Sequence, residues 1–173
     1  IRIAAAAADR VKPGSSIFLD GGSTILAMAP LLRERTDLTV VTNSLRVAAE
    51  LAGGGPTLIV TGGEFRRRSQ TLVGPLTEPV LDALHVDMAF VGTIGLDLEA
   101  GLTTTDPREA FTKRLILRHA RQIVLVADST KAGKTSFVRF GSPDQAHVFI
   151  TDARTPAPLL RALRRKGVRT VVV

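Results

Sequence analysis

The chain has 173 residues, a length typical of one domain that can bury a sizeable core. Hydrophobic residues make up 45% and charged residues 23%, which is a globular rather than a disordered composition. The absence of cysteine excludes disulfides, thiolate catalysis and cysteine zinc sites, and the three histidines are too scattered for a metal cluster. No apolar run reaches membrane-spanning length and no signal peptide opens the chain, so a cytoplasmic protein without membrane contact is expected.

The net charge of +7 is concentrated in two places. Arg66–Arg68 form one basic run, and five cationic residues between Arg161 and Arg169 form the other. A basic patch can bind nucleic acid or an acidic ligand. The chain has no Tyr or Trp to stack on bases, so a solvated loop and a solvated helix face are favoured for these two runs.

Strands and helices are predicted to alternate along the first third of the chain. Short apolar, β-branched runs indicate buried strands, and apolar residues at helical spacing, such as Ile25, Met28 and Leu31, indicate helices. The predicted elements are a helix over 1–12, a strand over 16–20, a helix from Ser23, a strand over 38–42, a helix over 45–51 and a strand over 57–61.

The pattern loosens after residue 61 and then returns. The predicted elements are a polar, Arg-rich loop over 64–71, a helix over 75–84, a strand over 86–92, a Gly-rich stretch from Gly95 to Gly101, a helix from Asp106 to about Arg118, strands over 123–127 and 147–151, a helix over 156–166 and a strand over 168–173. This order predicts one α/β domain over 1–173, with a mostly parallel, Rossmann-like sheet covered by helices on both faces.

The first candidate site is the turn Asp20-Gly21-Gly22-Ser23-Thr24 at the end of the first predicted strand. Open α/β sheets gather ligands at the carboxyl ends of their strands. Glycines allow close approach of a ligand, and a helix start attracts phosphate. An ordinary tight turn with Ser23 as the helix cap explains the same residues equally well.

Two further turns follow strands. In Thr42-Asn43-Ser44, Asn43 has the chemistry to bond a hydroxyl, and Ser44 can contact phosphate or merely cap the next helix. Gly92-Thr93-Ile94-Gly95 follows the strand over 86–92, and its candidate residues are Gly92 and Gly95. Taken alone this third turn is a weak signal, because glycine after a strand is common.

Charged residues mark the first two turns of the helix that begins near Pro107. Asp106, Pro107 and Glu109 have the spacing of a capping box, and Glu109 and Lys113 have the spacing of a helical ion pair. The functional alternative is that Glu109 and Lys113 face a pocket rather than solvent.

Asp128 and Lys131 follow the strand over 123–127. A lysine at this position can pair with a phosphate or a sugar oxygen, and a solvated loop lysine is the alternative. Together the five segments describe an anion site with polyol partners. The nucleotide-binding GxGxxG fingerprint and the P-loop are both absent, and neither a cofactor nor a metal is expected.

The order of these motifs resembles the C-terminal effector domain of the DeoR family of bacterial repressors. The segments that carry the resemblance are IFLDGGST (17–24), LTVVTNSL (38–45), TGGEFRRRS (61–69), LVGP (72–75), DMAFVGTIG (87–95), GLTTTDPREAFTKR (101–114), ADSTK (127–131) and Thr151-Asp152. They cover nearly the whole chain in the family's order.

The resemblance implies a fold similar to ribose-5-phosphate isomerase and the CoA transferases. It implies a phosphorylated sugar as effector, with its phosphate on the Asp20–Thr24 turn and sugar contacts from Asn43, Ser44, Glu109 and Lys131. It also implies a homo-oligomer, and a winged helix-turn-helix domain that precedes this one and makes the contacts with operator DNA. The start at Ile1, without an initiator Met, agrees with the absence of that domain here.

A sensor without catalytic activity is therefore the leading expectation, in which effector binding alters the DNA affinity of the full-length protein. The alternative is an isomerase-type enzyme with Glu109 as the base and with Asp128 and Lys131 supporting an enediolate. Direct binding of nucleic acid by Arg66–Arg68 is the least favoured hypothesis.

Overall fold

The computed structural model describes every residue from Ile1 to Val173. The helices are α1 (Arg2–Ala8), α2 (Ser23–Leu26), α3 (Ala29–Leu32), α4 (Leu45–Leu51), α5 (Glu78–Asp82), α6 (Pro107–Arg118) and α7 (Ala157–Arg165). The strands are β1 (Ser16–Leu19), β2 (Thr39–Thr42), β3 (Thr57–Val60), β4 (Glu64–Arg66), β5 (Thr71–Val73), β6 (Val86–Val91), β7 (Gly95–Asp97), β8 (Gly101–Thr104), β9 (Ala120–Val126), β10 (Val138–Gly141), β11 (Val148–Thr151) and β12 (Arg169–Val172). None of the helices combines the length and apolarity needed to cross a membrane.

A seven-stranded sheet forms the centre of the fold, in the order β12-β11-β9-β6-β1-β2-β3. Every neighbouring pair is parallel. Strand β1 lies between β2 and β6, and its Phe18 is opposite Val41 of β2 on one side and Ala89 of β6 on the other. The predicted α/β class with a parallel, Rossmann-like sheet is confirmed, and each predicted strand of the sheet is present.

Both faces of this sheet are covered by helices. Side chains of one strand alternate between the faces, so Phe18 packs on the face covered by α5, α6 and α7. Ile17 and Leu19 pack on the opposite face, which α1 to α4 cover. The sheet is therefore packed between two buried hydrophobic layers, and the carboxyl ends of its strands lie at the edge of these layers.

Three predicted helices are shorter than expected, and the one predicted over 75–84 is a 3₁₀ turn over Pro75–Thr77 followed by α5. The first ends at Ala8 rather than at residue 12. The helix predicted from Ser23 is divided into α2 and α3, with Pro30 in the first turn of α3. Proline has no N–H to donate and disrupts a helix interior, which explains the break. Leu31 is 54% exposed and is not the core residue that its spacing suggested.

Two stretches predicted as loops contain strands. The Arg-rich segment forms an antiparallel hairpin of β4 and β5, and β10, β8 and β7 form a small antiparallel sheet. These strands have three or four residues each and, unlike the equally short strands of the main sheet, most of them are not apolar runs, so the sequence does not reveal them. Both additions lie on the side of the strand carboxyl ends, and both contribute side chains to the candidate site.

Candidate functional site

A cavity of about 370 Å³ opens at the carboxyl ends of the central parallel strands. Its volume lies in the range typical of small-molecule sites. Most of the predicted site residues line it: Gly21, Gly22, Ser23, Thr24, Ser44, Gly92, Glu109, Lys113, Asp128 and Lys131. The structure thus brings together residues from five separate segments of the chain.

Three predicted site residues do not line the cavity. Asp20 is buried just beneath it. Asn43 is also buried, its Nδ2 donates to the carbonyl of Leu72 at 3.3 Å, and its Oδ1 has no partner. Gly95 lies in β7, packed against the backbone of Lys134. Neither Asn43 nor Gly95 contributes to the cavity wall, and a ligand contact from either residue stays a prediction.

A buried ion pair connects the strand ends under the cavity. Lys113 Nζ donates to Asp20 Oδ2 and, at 3.0 Å, to the carbonyl of Gly92. The Gly92 N–H donates to the same Asp20 oxygen at 3.2 Å. The side chains of Lys113 and Asp20 are 5% and 2% exposed. Lys113 faces the cavity, but its charge is compensated by Asp20 rather than by Glu109, so the predicted helical ion pair does not form.

Arg66 is tied into the cavity wall and is not part of a solvated loop. Its side chain is only 12% exposed and lies 3.3 Å from Asp106 and 3.9 Å from Glu109. It also donates to Ser69 Oγ and to Thr105 Oγ1, both at 3.1 Å. The expectation of a solvated basic run is therefore wrong for Arg66.

Glu109 turns towards the cavity. Its Oε2 accepts a hydrogen bond from Thr104 Oγ1 at 2.6 Å, in addition to its ion pair with Arg66. The Glu109 carboxylate accepts no hydrogen bond from the Asp106 N–H, so only half of the predicted capping box forms. The other half is present, because Asp106 Oδ1 accepts from the N–H groups of Arg108 and Glu109 at 2.9 and 3.3 Å.

The two predicted serine caps differ. Ser44 Oγ accepts from the Val47 N–H at 3.4 Å, so Ser44 caps α4 and also lines the cavity. Ser23 is the first residue of α2, and Gly22 occupies the cap position with φ 127°. That backbone conformation favours glycine. The Ser23 cap was therefore wrongly predicted, and its hydroxyl carries no capping hydrogen bond.

Lys131 is positioned by a short 3₁₀ turn over Ser129–Lys131. Asp128 caps this turn by accepting the Thr130 N–H at 2.8 Å. Asp152 Oδ2 accepts the Ser129 N–H at 2.7 Å, and this hydrogen bond is the main reason that the pKa of Asp152 is lowered to about 2. Two ionised carboxylates thus fix the turn that presents Lys131 to the cavity.

Sequence reasoning missed several lining residues. The missed polar ones are Arg46, Arg66, Arg68, Ser69, Thr93, Thr104 and Thr105. Arg46 stands in the first turn after the predicted strand end at Thr42, and this position was a usable signal. Arg66, Arg68 and Ser69 gave no such signal, because the sequence of a basic loop does not indicate whether the loop packs over the end of the sheet. No group of three or more His, Asp or Glu side chains is placed to hold a metal ion.

Removal of the Asp106 cap is expected to cost about 1 kcal/mol of stability at pH 7. The hydrogen bond from the Arg108 side chain, helped by the α6 N–H groups, lowers the pKa of Asp106 to about 2. The stabilisation from its ionised form is complete above the unfolded pKa of about 4 and is lost as the pH falls through about 2. Urea unfolding of Asp106→Ala and of the parent chain between pH 7 and pH 2 measures this.

The control for this prediction is Asp106→Asn, which keeps a good cap but has no charge. It should lose less stability than Asp106→Ala at pH 7. A free-energy difference between the parent chain and Asp106→Ala that does not shrink below pH 4 would contradict the assignment.

Comparison with known proteins identifies clear relatives. A family model described as the DeoR C terminal sensor domain matches residues 1–153. The HTH-type transcriptional regulator GlpR of Haloferax volcanii is 38% identical over 169 residues, which are 98% of this chain and 66% of that protein. The glycerol-3-phosphate regulon repressor of Escherichia coli K12 is 33% identical over 163 residues, covering 94% of this chain and 65% of that protein.

A putative aga operon transcriptional repressor of Escherichia coli O157:H7 is 36% identical over 172 residues, which are 99% of this chain and 64% of that protein. The chain thus spans about two thirds of the length of the curated relatives it matches.

Solved structures share the fold at low sequence identity. Ribose 5-phosphate isomerase A of Methanocaldococcus jannaschii is 18% identical, with a TM-score of 0.53 over 75% of this chain and 52% of that chain. The eIF2B beta subunit of Chaetomium thermophilum is 12% identical, with a TM-score of 0.58 over 86% of this chain and 46% of that chain. These similarities confirm the predicted likeness to the isomerase fold and carry no argument about activity.

Proposed function

Since the chain belongs to the DeoR C-terminal sensor domain family, we propose that it is the ligand-sensing domain of a transcriptional repressor of sugar metabolism. In this proposal a phosphorylated sugar binds in the cavity at the strand ends. The family and the relatives are transcriptional regulators and not enzymes, so the isomerase alternative is set aside. The names of the relatives, which include repressors of glycerol-3-phosphate and aga genes, support a ligand from sugar metabolism.

The charge of the cavity is the observation that carries the proposal. Five cationic side chains line it, against the two acidic ones of Glu109 and Asp128. Lys113 and Arg66 are held in the ion pairs described above, whereas Arg46, Arg68 and Lys131 form no ion pair within the chain. Two arginines with no carboxylate partner, together with Lys131, which forms no close ion pair but shares its end of the cavity with Asp128, favour an anionic ligand. Hydroxyl side chains around them suit a polyol.

Binding would act on transcription through a shift between two arrangements of the full-length repressor. We propose that a winged helix-turn-helix domain, preceding this one in the full-length protein, makes the contacts with operator DNA. We further propose that the protein is a homo-oligomer, because operators commonly mirror the twofold symmetry of the dimers that bind them. The sensor domain would then contribute ligand binding and no specific contact with DNA.

A thermal-shift comparison of phosphorylated and free sugars tests the proposal. Glucose 6-phosphate and glycerol 3-phosphate are compared with glucose and glycerol at matched sodium concentration. A ligand present at one hundred times its Kd adds about 2.7 kcal/mol, so a binding phosphate ester should raise Tm by about 5 °C or more. Equal shifts from phosphate esters and free polyols would contradict the proposal that the ligand is phosphorylated.

A further inference from the structure

We infer that the phosphate of the ligand is held at one end of the cavity by Arg46 and Arg68, and that the sugar hydroxyls lie at the other end, beside Asp128 and Lys131. This inference rests on the proposed function and adds the orientation of the ligand. It differs from the resemblance, which implied that the phosphate lies on the Asp20–Thr24 turn.

Backbone contacts bring Arg46 and Arg68 to the same end of the cavity. Ser44 and Thr71 form an isolated antiparallel bridge, and the Leu45 N–H donates to the carbonyl of Gln70 at 3.0 Å. Arg46 follows Leu45 directly, and Arg68 precedes Gln70 by two residues. The two arginines therefore flank one backbone contact between the hairpin and the start of α4, and both line the cavity.

The charges of these two arginines are not compensated within the chain. By contrast, Arg66 is paired with Asp106 and Glu109, and Lys113 is paired with Asp20. Arginine presents a planar set of donors that matches phosphate oxygens in pairs, and it stays charged at any physiological pH. The arginine end of the cavity therefore has the strongest attraction for a dianion.

The opposite end has mixed charge. Burial raises the pKa of Asp128, but hydrogen bonds from Thr130 and the charge of Lys131 outweigh burial and keep that pKa below its ordinary value. Lys131 thus stands beside an ionised carboxylate, which would repel a phosphate dianion. A carboxylate acceptor next to an ammonium donor instead suits sugar hydroxyls, because these groups both donate and accept.

The order of the strands separates the two ends. Arg46 follows β2 and Lys131 follows β9, with β1 and β6 between them in the sheet. Neighbouring strands lie about 4.8 Å apart, so the two positions are about 14 Å apart along the row of strand ends. The Gly21–Thr24 turn lies between them, and α2 has only four residues, so its dipole adds little attraction for an anion.

Titration of the isotope-labelled chain, followed by NMR shifts, tests this orientation. The probes are inorganic phosphate and glucose 6-phosphate, and the variants are Arg68→Met and Lys131→Met. Loss of Arg68 should weaken the binding of both probes about tenfold or more. Loss of Lys131 should leave inorganic phosphate within twofold of the parent chain and weaken only glucose 6-phosphate. Arg67→Met is the matched control, because Arg67 is exposed, adjacent and outside the cavity.

The outcomes separate this inference from the proposed function. If the parent chain binds neither probe, the phosphate ligand and this orientation both fail. If it binds both probes and Lys131→Met weakens inorganic phosphate as much as Arg68→Met does, the orientation is overturned and the proposed function stands. An equal loss in Arg67→Met would assign the effect to overall charge and would also overturn the orientation.

Discussion

Replacing Asp20 by asparagine is expected to destabilise the domain by about 3–5 kcal/mol. Asparagine has nearly the same shape as aspartate, so the change removes a charge with little change in packing. Lys113 then remains buried without a counter-charge, and only neutral acceptors, the new amide oxygen and the Gly92 carbonyl, remain beside it, with the face of Phe140 5.1 Å away. Breaking a buried pair on one side costs far more than the pair contributes as a whole.

Urea unfolding followed by far-UV circular dichroism measures this loss, because the chain has no tryptophan to report by fluorescence. The double variant Asp20→Asn with Lys113→Met removes both charges and should recover a large part of the lost stability. Asp82→Asn, which breaks the exposed pair with His119, is the control and should change stability by less than about 1 kcal/mol. A loss below 1 kcal/mol in Asp20→Asn would show that the pair is not buried in solution.

Replacing Gly95 by alanine is expected to cost about 3 kcal/mol, at the upper end of the usual range for overpacking. A Cβ at this position would overlap the carbonyl oxygen of Lys134 and lie 2.6 Å from Thr103 Oγ1. A backbone carbonyl cannot move aside as a side-chain end can. The small sheet of β7, β8 and β10 would have to shift, and Thr104 in the cavity wall would shift with it.

Gly53→Ala provides the matched control, because its nearest neighbour would be the flexible end of Arg33 at 3.5 Å. That variant should unfold within about 0.5 kcal/mol of the parent chain. The melting temperatures of both variants, measured with and without glucose 6-phosphate, separate fold from binding. A Gly95→Ala variant that is as stable as the parent chain but does not bind would restore Gly95 as a ligand contact.

The sequence predicts the parallel sheet well for a physical reason. Strands covered on both faces are continuous apolar runs such as residues 38–42, and glycines or serines follow them where the chain turns. The short strands β4, β5, β7, β8 and β10 are different, because each is held by a few backbone hydrogen bonds and by contacts with distant segments. Local sequence does not contain that information.

The same distinction applies to the site. Position at a strand end predicts Ser44, Gly92 and Lys131 in the cavity wall, and all three lie there. It does not predict that Asp20 pairs with Lys113, since 93 residues separate them. Nor does it distinguish Arg66, which is nearly buried, from the adjacent exposed Arg67, because one residue of register in a hairpin decides which side chain faces inward.

The hairpin of β4 and β5 has a consequence for how ligand preference can diversify. Its strands form a separate two-stranded sheet, joined by one bridge between Thr71 and Ser44 to the start of α4, and Arg66, Arg68 and Ser69 contribute to the cavity wall. The residues from the strand ends are scattered over the chain and are also needed for the core, whereas the hairpin is one contiguous segment outside the main sheet. Replacement of this one segment would change several residues of the cavity wall at once. Ligand preference can therefore change through the hairpin while the main sheet stays the same.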